Sequence, residues 1–495
     1  MKPLFQTFIN NIFYSMAMEK YDSQNIVKEI NNLFKQLFPI CRSITGNGVR
    51  KSLSILKKIT DFQIKEIPSG TICYDWQVPN EWNITDAYVK DYSGKKIIDF
   101  QKNNLYVVNY SIPIDTTLTF EELEKHLHML KDYPDSIPYR TTYYNEDWGF
   151  CISYEQFKKM DRNSKYHVKI DSTLKPGKLT YGEYVIEGNS GKEFIFSTYC
   201  CHPSLANDNL SGLVLWILLL RKLKSIKTNH TYRFIVVPET IGSIAYLSLN
   251  EKIMKNVLGG FILTCVAGPG KFSYKQTFLG DNLIDKIIRK TFSELELDLK
   301  QYNFDITGSD EGQYSSPFFR IPIGTICKDK YHEFEYYHTS KDNLDFVNAS
   351  YLVETLDVYC SVIMNLEKMS LTDFQNNLQK NSNIKLTNLK MEETYRSLNP
   401  YCAPMLSKRG LYPTLGGKIK QKAANSSKEH FEQKFNITDG KSISGTELDA
   451  LLWIMFYSDG QMSLFEISKK IGFPLNILKN IAEILCKQNL LEKIT

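Results

Sequence analysis

A largely parallel α/β sheet flanked by helices is the fold class this sequence predicts, and three observations predict it. From about Tyr166 to Leu366, short apolar runs alternate with helical stretches of ten or more residues, the rhythm of strand-helix-strand units. Four polar clusters rich in His, Asp, Glu and Asn each follow one of those runs, where an open α/β sheet has its ligand-binding edge. A chain of 495 residues that is 42% hydrophobic has apolar material for about three domains.

In order along the chain, Ser23 to Ile59 carries helical spacing: Ile26, Ile30, Leu33, Phe34 and Leu37 share one face, and a second helix runs through Leu53, Leu56 and Ile59. Between them lies a Gly-containing turn, CRSITGNGVR (41–50). From 74 to 144, segments such as AYVKD, KKIIDF, LYVVNYSIPI and SIPYR sit between Gly, Asp and Pro signals and predict a small β-rich module. The alternating region follows with YHVKID, GEYVIEG, EFIFSTYC, the helix SGLVLWILLLRKLKS, the strand TYRFIVVPE, the helix SIAYLSLNEKI and the strand GGFILTCVAG. It closes with a helix from Asn282 to Leu297, the strand PIGTICK and a helix from Ala349 to Leu366. Residues 371–445 are polar, rich in Asn, Lys and Ser, and predict a linker or irregular segment. In 446–495, TELDALLWIMFYSDG, LFEISKKIGFP and NILKNIAEILCKQNLL resemble the three short helices of a winged-helix module.

Composition excludes several function classes. Sixty Lys plus Arg against 55 Asp plus Glu leave +5 spread over the whole chain, so no strong field for nucleic acid or an anionic membrane is predicted. The longest apolar run, Leu213 to Leu220, is far below the ~20 residues that cross a bilayer. Gln6, Asn10, Asn11 and Glu19 interrupt any signal-peptide core, and the expected location is cytoplasmic. Ten cysteines with no CxxC pair predict neither a disulfide framework nor a zinc ribbon.

The clusters that carry chemistry are CHPSLANDNLSG (201–212), PETIGS (238–243), GSDEGQY (308–314) and YYHTSKDN (336–343). An imidazole and a carboxylate at His202 and Asp208 suit zinc, although a hydrogen-bonded loop histidine and a helix cap explain them equally. Glu239, directly after an apolar strand, suits a general base; a helix-capping or salt-bridged Glu is the plain alternative. His338 is a second candidate ligand, and Asp310 and Glu311 form an acidic pair that also fits a solvated loop. Arg42, Arg50 and Arg140 could bind a carboxylate or phosphate, against the commoner structural ion pair.

The order His, D-N-x-S-G, E-x-x-G after a strand, an S-D-E loop and a late His resembles the zinc aminopeptidase superfamily that includes leucyl aminopeptidases and glutaminyl cyclases. More closely, CRSITGNGVR, WGFC, TYCCHPSLANDNLSG, PETIGS, GSDEGQYSSP, YYHTSKDNLDF and KRGLYPTLGG resemble the bacterial aminopeptidase-like proteins associated with polysaccharide biosynthesis clusters. The resemblance implies an aminopeptidase-like catalytic domain (22–73 and 145–370), an inserted β-rich domain (74–144), the segment 371–445 and a winged helix (446–495). It implies zinc on His202, Asp208 and His338, Glu239 as the base, and Asp310 with Glu311 beside the substrate. Two positions depart from the two-zinc pattern: Thr240 and Cys265 stand where carboxylate ligands are expected, so one ion is expected rather than two.

The function expected is a zinc-dependent hydrolase of peptide or amide bonds, an aminopeptidase, acting on a small substrate. The rivals are an amidase or deacylase working on an amino-sugar precursor, and a binding protein with a relict metal site. For the C-terminal module, Lys469, Lys470, Lys479, Lys487 and Lys493 are outnumbered by Glu447, Asp449, Asp459, Glu466, Glu483 and Glu492, which points to a protein partner rather than nucleic acid.

Overall fold

Helices α1 (Ser23–Leu37) and α2 (Asn47–Lys57) lead into β1 (Gln63–Pro68) and then into β2 (Glu81–Lys90), β3 (Lys96–Asp99), β4 (Ile114–Thr119) and β5 (Lys165–Lys175). The chain continues through β6 (Lys178–Ile186), β7 (Glu193–Tyr199), α3 (Gly212–Lys224), β8 (Thr231–Val237), α4 (Ile241–Met254) and β9 (Val257–Ile262). After these come β10 (Ser273–Lys275), α5 (Leu283–Glu294), β11 (Lys300–Tyr302), β12 (Ile323–Cys327) and α6 (Ala349–Glu367). The structure, a computed structural model, describes residues 23–369, 393–412 and 445–494. No helix among them is long and apolar enough to cross a membrane.

Among the described residues, an eight-stranded sheet has the order β1-β6-β8-β7-β9-β12-β10-β11. Its centre, β8-β7-β9-β12, is parallel, and antiparallel pairs β1-β6, β6-β8 and β10-β12 extend it. Every residue of β7 and β8 is buried, which is why neither alternates apolar with polar; their charged members are paired, Arg233 of β8 with Glu193 of β7 and with Glu183. Helix α3 is apolar all round from Leu213 to Leu220 for the same reason: it lies against β7 with α1 and α6 on its other sides. Helices α1, α2, α3, α5 and α6 close one core, and α4 with Trp76 and Trp82 closes another.

Two segments differ from the sequence reading. Strand β5, assigned from YHVKID to the alternating region, pairs instead with β2 and β4 in the small sheet β3-β2-β5-β4. Its burial alternates from residue to residue, as expected of a sheet with one packed face, so its period-two pattern was the informative signal. Within the stretch expected to be a linker, β13 (Thr394–Ser397) lies between β14 (Asp459–Ser463) and β15 (Leu491–Lys493) and completes the sheet of the C-terminal module. Four residues, T-Y-R-S, are too few and too polar to announce a strand by periodicity.

The chain then laces back over the large domain. Tyr401 stacks on Tyr74 at 4.5 Å, the Trp76 indole donates to the Ala403 carbonyl at 2.7 Å, and Arg409 pairs with Asp75 at 2.6 Å. The rest of the expected linker, including the end of KRGLYPTLGG, lies outside the described residues. The module's helices α7 (Gly445–Tyr457), α8 (Leu464–Ile471) and α9 (Leu475–Lys487) enclose their own core, which also takes in Phe278, Phe304 and Ile306 of the large domain.

Candidate metal centre and its surroundings

Three of the four clusters lie at the carboxyl ends of the central parallel strands; the fourth, 308–314, follows the edge strand β11, which runs antiparallel to them. His202 follows β7, Glu239 follows β8, Cys265 follows β9 and the His338 loop follows β12. Asp208 sits in a single π-type turn, Ala206–Ser211, between β7 and α3. The D-N-x-S-G motif builds that turn. The Asn209 amide donates to Thr198 Oγ1 at 2.9 Å and to the carbonyls of Tyr199 and Leu263, while Ser211 Oγ donates to the Asn207 carbonyl and accepts from the Val266 N–H. At Gly212 a Cβ would stand 2.2 Å from the Leu263 carbonyl oxygen, so only glycine lets α3 start this close to β9. Asp342 accepts the N–H groups of Asn207 and Asp208 at 2.6 and 2.9 Å and fixes the backbone behind the ligand position.

The inserted module and the N-terminal motif support the two histidines. The Tyr139 N–H donates to the His338 carbonyl at 2.8 Å, and the Ser340 N–H donates to the Ile137 carbonyl. Arg42, buried, donates Nε to the His202 carbonyl at 2.9 Å and Nη1 to the Leu37 carbonyl.

One ligand atom from each of His202, Asp208 and His338 lies within 4.8 Å of the others, and all three residues are buried. His338 Nε2 stands 3.0 Å from Asp208 Oδ2, and His202 Nε2 stands 3.9 Å from Glu239 Oε2. Burial lowers the His202 pKa to about 4, leaving a neutral imidazole with a lone pair to offer at pH 7. Burial works against the Asp208 charge, but His202, His338 and the Tyr199 hydroxyl outweigh it and hold its carboxyl well below the usual range. Glu239 is pushed well above that range by burial and by the nearby carboxyls of Asp310 and Asp208. Two imidazoles and a carboxylate amid crowded acids form a donor set that suits a divalent transition-metal cation. A second close group, Cys201, His202 and Glu239, shares His202 with the first. Cys201 Sγ is 3.5 Å from His202 Nδ1 and accepts the Glu239 N–H at 3.4 Å.

The remaining candidate residues have protein partners of their own. Glu311 pairs with Lys275 at 3.3 Å, both fully buried. Asp310 is buried and accepts from the Thr240 N–H and the Ser243 hydroxyl; burial raises its pKa to about 7. Arg50 bridges Glu66 and Glu81, a structural pair, and Arg140 is buried with Nη1 on the Tyr139 carbonyl. Arg42 holds backbone, as described above. Cys265 packs with Cys327, Tyr331 and Tyr337 as a small apolar side chain, and Thr240 gives its N–H to Asp310.

Sequence reasoning missed Tyr199, whose hydroxyl donates to Asp208 and meets Thr264 Oγ1 at 2.7 Å, and Ser309, whose hydroxyl donates to Glu239 Oε1 at 2.9 Å. Tyr199 ends β7 next to the CHP motif, a positional signal that was there to use; Ser309 offered none apart from its place in the S-D-E loop.

Comparison with known proteins adds relatives. A family described as a domain of unknown function (DUF4910) matches residues 31–369, and a winged helix-turn-helix family matches residues 434–493. A Clostridium acetobutylicum protein, provisionally named a polysaccharide biosynthesis protein with aminopeptidase-like domain, is 41% identical over 466 residues, 94% of this chain and 96% of its own. A crystal structure from Clostridium acetobutylicum, described provisionally as a peptidase, is 38% identical with a TM-score of 0.69, covering 99% of this chain and 100% of its own. A zinc aminopeptidase from Bacillus subtilis has the same fold at 15% identity and a TM-score of 0.53, over 71% of this chain and 96% of its own.

Proposed function

Because this chain belongs to the DUF4910 family and joins an aminopeptidase-like fold to a C-terminal winged helix, we propose that it is a zinc-dependent amide hydrolase working as an aminopeptidase. The observation that carries the reading is the convergence of His202, Asp208 and His338, with Glu239 3.9 Å from His202.

His202, Asp208 and His338 would hold the zinc, which when bound would supply Lewis-acid polarisation of an amide carbonyl and ease the deprotonation of water. Glu239 takes the proton of the attacking water and passes it to the leaving nitrogen. Tyr199 and the backbone behind Asp208 keep that carboxylate aimed at the histidines, and Cys201 sets the face of the His202 ring. One ion is the number we favour, because Thr240 offers only a neutral, weakly donating hydroxyl and Cys265 packs among Cys327, Tyr331 and Tyr337. The winged helix enters as a protein-contact module, in line with its excess of acids over bases.

The name of the Clostridium acetobutylicum relative favours a second reading, in which the same site removes an N-acyl group from an amino sugar of a polysaccharide precursor. Metal-free protein reloaded with zinc and offered aminoacyl 4-nitroanilides and N-acetylated amino sugars separates the two. Zinc-dependent release of nitroaniline supports the aminopeptidase, and release of acetate alone supports the second reading. Zinc retention with no turnover of any amide refutes both and leaves a binding protein.

A further inference from the structure

We propose that Ser309 is a positioning residue for Glu239 and that the buried Lys275–Glu311 pair sets Ser309 in place, an inference that rests on reading Glu239 as the general base. Ser309 Oγ donates to Glu239 Oε1 at 2.9 Å, which leaves Oε2 as the oxygen facing His202 Nε2. A glutamate side chain turns about several bonds, and one fixed carboxylate oxygen selects a single orientation for the other.

Ser309 is itself held. Its N–H donates to Glu311 Oε2 at 2.9 Å, and Glu311 also accepts from the Tyr331 hydroxyl at 3.0 Å and from Thr325. Lys275 Nζ stands 3.3 Å from the same Oε2, with the two side chains 1% and 0% exposed. The loop backbone runs tight against that ammonium: a Cβ on Gly308 would lie 2.0 Å from Lys275 Nζ. An ion pair buried this deeply adds little net stability over an apolar pair of the same volume; here Lys275 holds the Glu311 carboxylate that accepts the Ser309 N–H. Asp310 completes the grip by accepting the Thr240 N–H at 2.7 Å, at a residue whose φ is +65°. Residues 309–311 therefore hold Glu239 by its side chain and the following residue by its backbone. In this proposal the acidic pair of the S-D-E motif serves the base.

The test uses zinc-loaded full-length protein, with Ser309→Ala, Ser309→Thr and Glu311→Gln assayed on leucyl 4-nitroanilide alongside zinc content and crystal structures. Ser309→Ala is expected to lower kcat on the order of 10- to 100-fold with KM within about twofold and zinc content unchanged, as for a small misplacement of a reacting group. Ser309→Thr, which keeps the hydroxyl, restores most of kcat, and Glu311→Gln follows Ser309→Ala. Unchanged kcat in Ser309→Ala, or a loss carried by KM, overturns the proposal. If the wild type leaves the anilide intact, the aminopeptidase reading fails by itself. The crystal structures then decide the positioning: a Glu239 carboxylate turned from His202 in Ser309→Ala supports it, and an unmoved one overturns it.

Discussion

Phe456→Ala is expected to loosen the C-terminal module and, through it, the loop that holds Glu239. Phe456 is 3% exposed, with its ring 5.4 Å from Phe304, 5.9 Å from Phe278 and 6.0 Å from Trp453. The Arg320 guanidinium lies 4.9 Å from the same ring and donates to the Phe456 carbonyl at 3.2 Å. Truncating a buried Phe to Ala costs about 3–5 kcal/mol, a figure that includes the cation–π contact Arg320 loses. That cost is a large share of the roughly 5–15 kcal/mol that holds a typical native protein. Phe304 opens the loop that carries Ser309, and Lys275 Nζ lies 5.5 Å from its ring, so losing Phe456 removes the packing behind the Glu239 contact. Urea unfolding followed by Trp fluorescence reads the first effect, and kcat on leucyl 4-nitroanilide reads the second. The expected result is an earlier transition together with a lower kcat at similar KM. A variant with an unfolded module and full kcat would refute the coupling and show that the catalytic domain stands without it.

Cys201→Ala is expected to weaken zinc binding by about 10- to 100-fold, because it removes the sulfur beside His202 Nδ1 that orients the ring; competition with a chromophoric chelator measures it, and unchanged affinity contradicts it. Metal-free wild type is expected to lose about 2 kcal/mol relative to His202→Gln between pH 7 and pH 5. The sign follows from a folded pKa near 4 against 6.5 for the free side chain: the unfolded chain takes up the proton first, so stability present above pH 6.5 falls until the folded group also titrates. Parallel stability curves for the two proteins would contradict the burial of a neutral His202.

Much of the fold was legible because burial writes itself into sequence. Strands β7 and β8 are mostly apolar, and helix α3 is apolar from Leu213 to Leu220, since they lie inside the protein, and the polar clusters stand out because they follow those runs at the sheet's carboxyl edge. His202, Asp208, Glu239 and His338 could be singled out for that reason. What stayed hidden depends on pairing across long stretches of chain. Nothing local marks Glu311 as the partner of Lys275, Arg50 as a bridge to Glu66 and Glu81, or Arg42 as a support for the His202 backbone. The same carboxylate or guanidinium contacts substrate in one fold and braces a loop in another, and only the three-dimensional partner decides. Strand β5 is the opposite case, since its alternation was visible but its neighbours in sequence suggested the wrong sheet.

The central claim is that Glu239 moves the proton while His202, Asp208 and His338 hold the metal. Glu239→Gln keeps the shape and the Ser309 contact but cannot accept a proton at neutral pH. Zinc content and anilide hydrolysis measured on the same preparation of this variant test the division of labour directly: the account predicts one zinc per chain with turnover reduced by at least ~100-fold, whereas wild-type turnover, or loss of the zinc along with the activity, would contradict it.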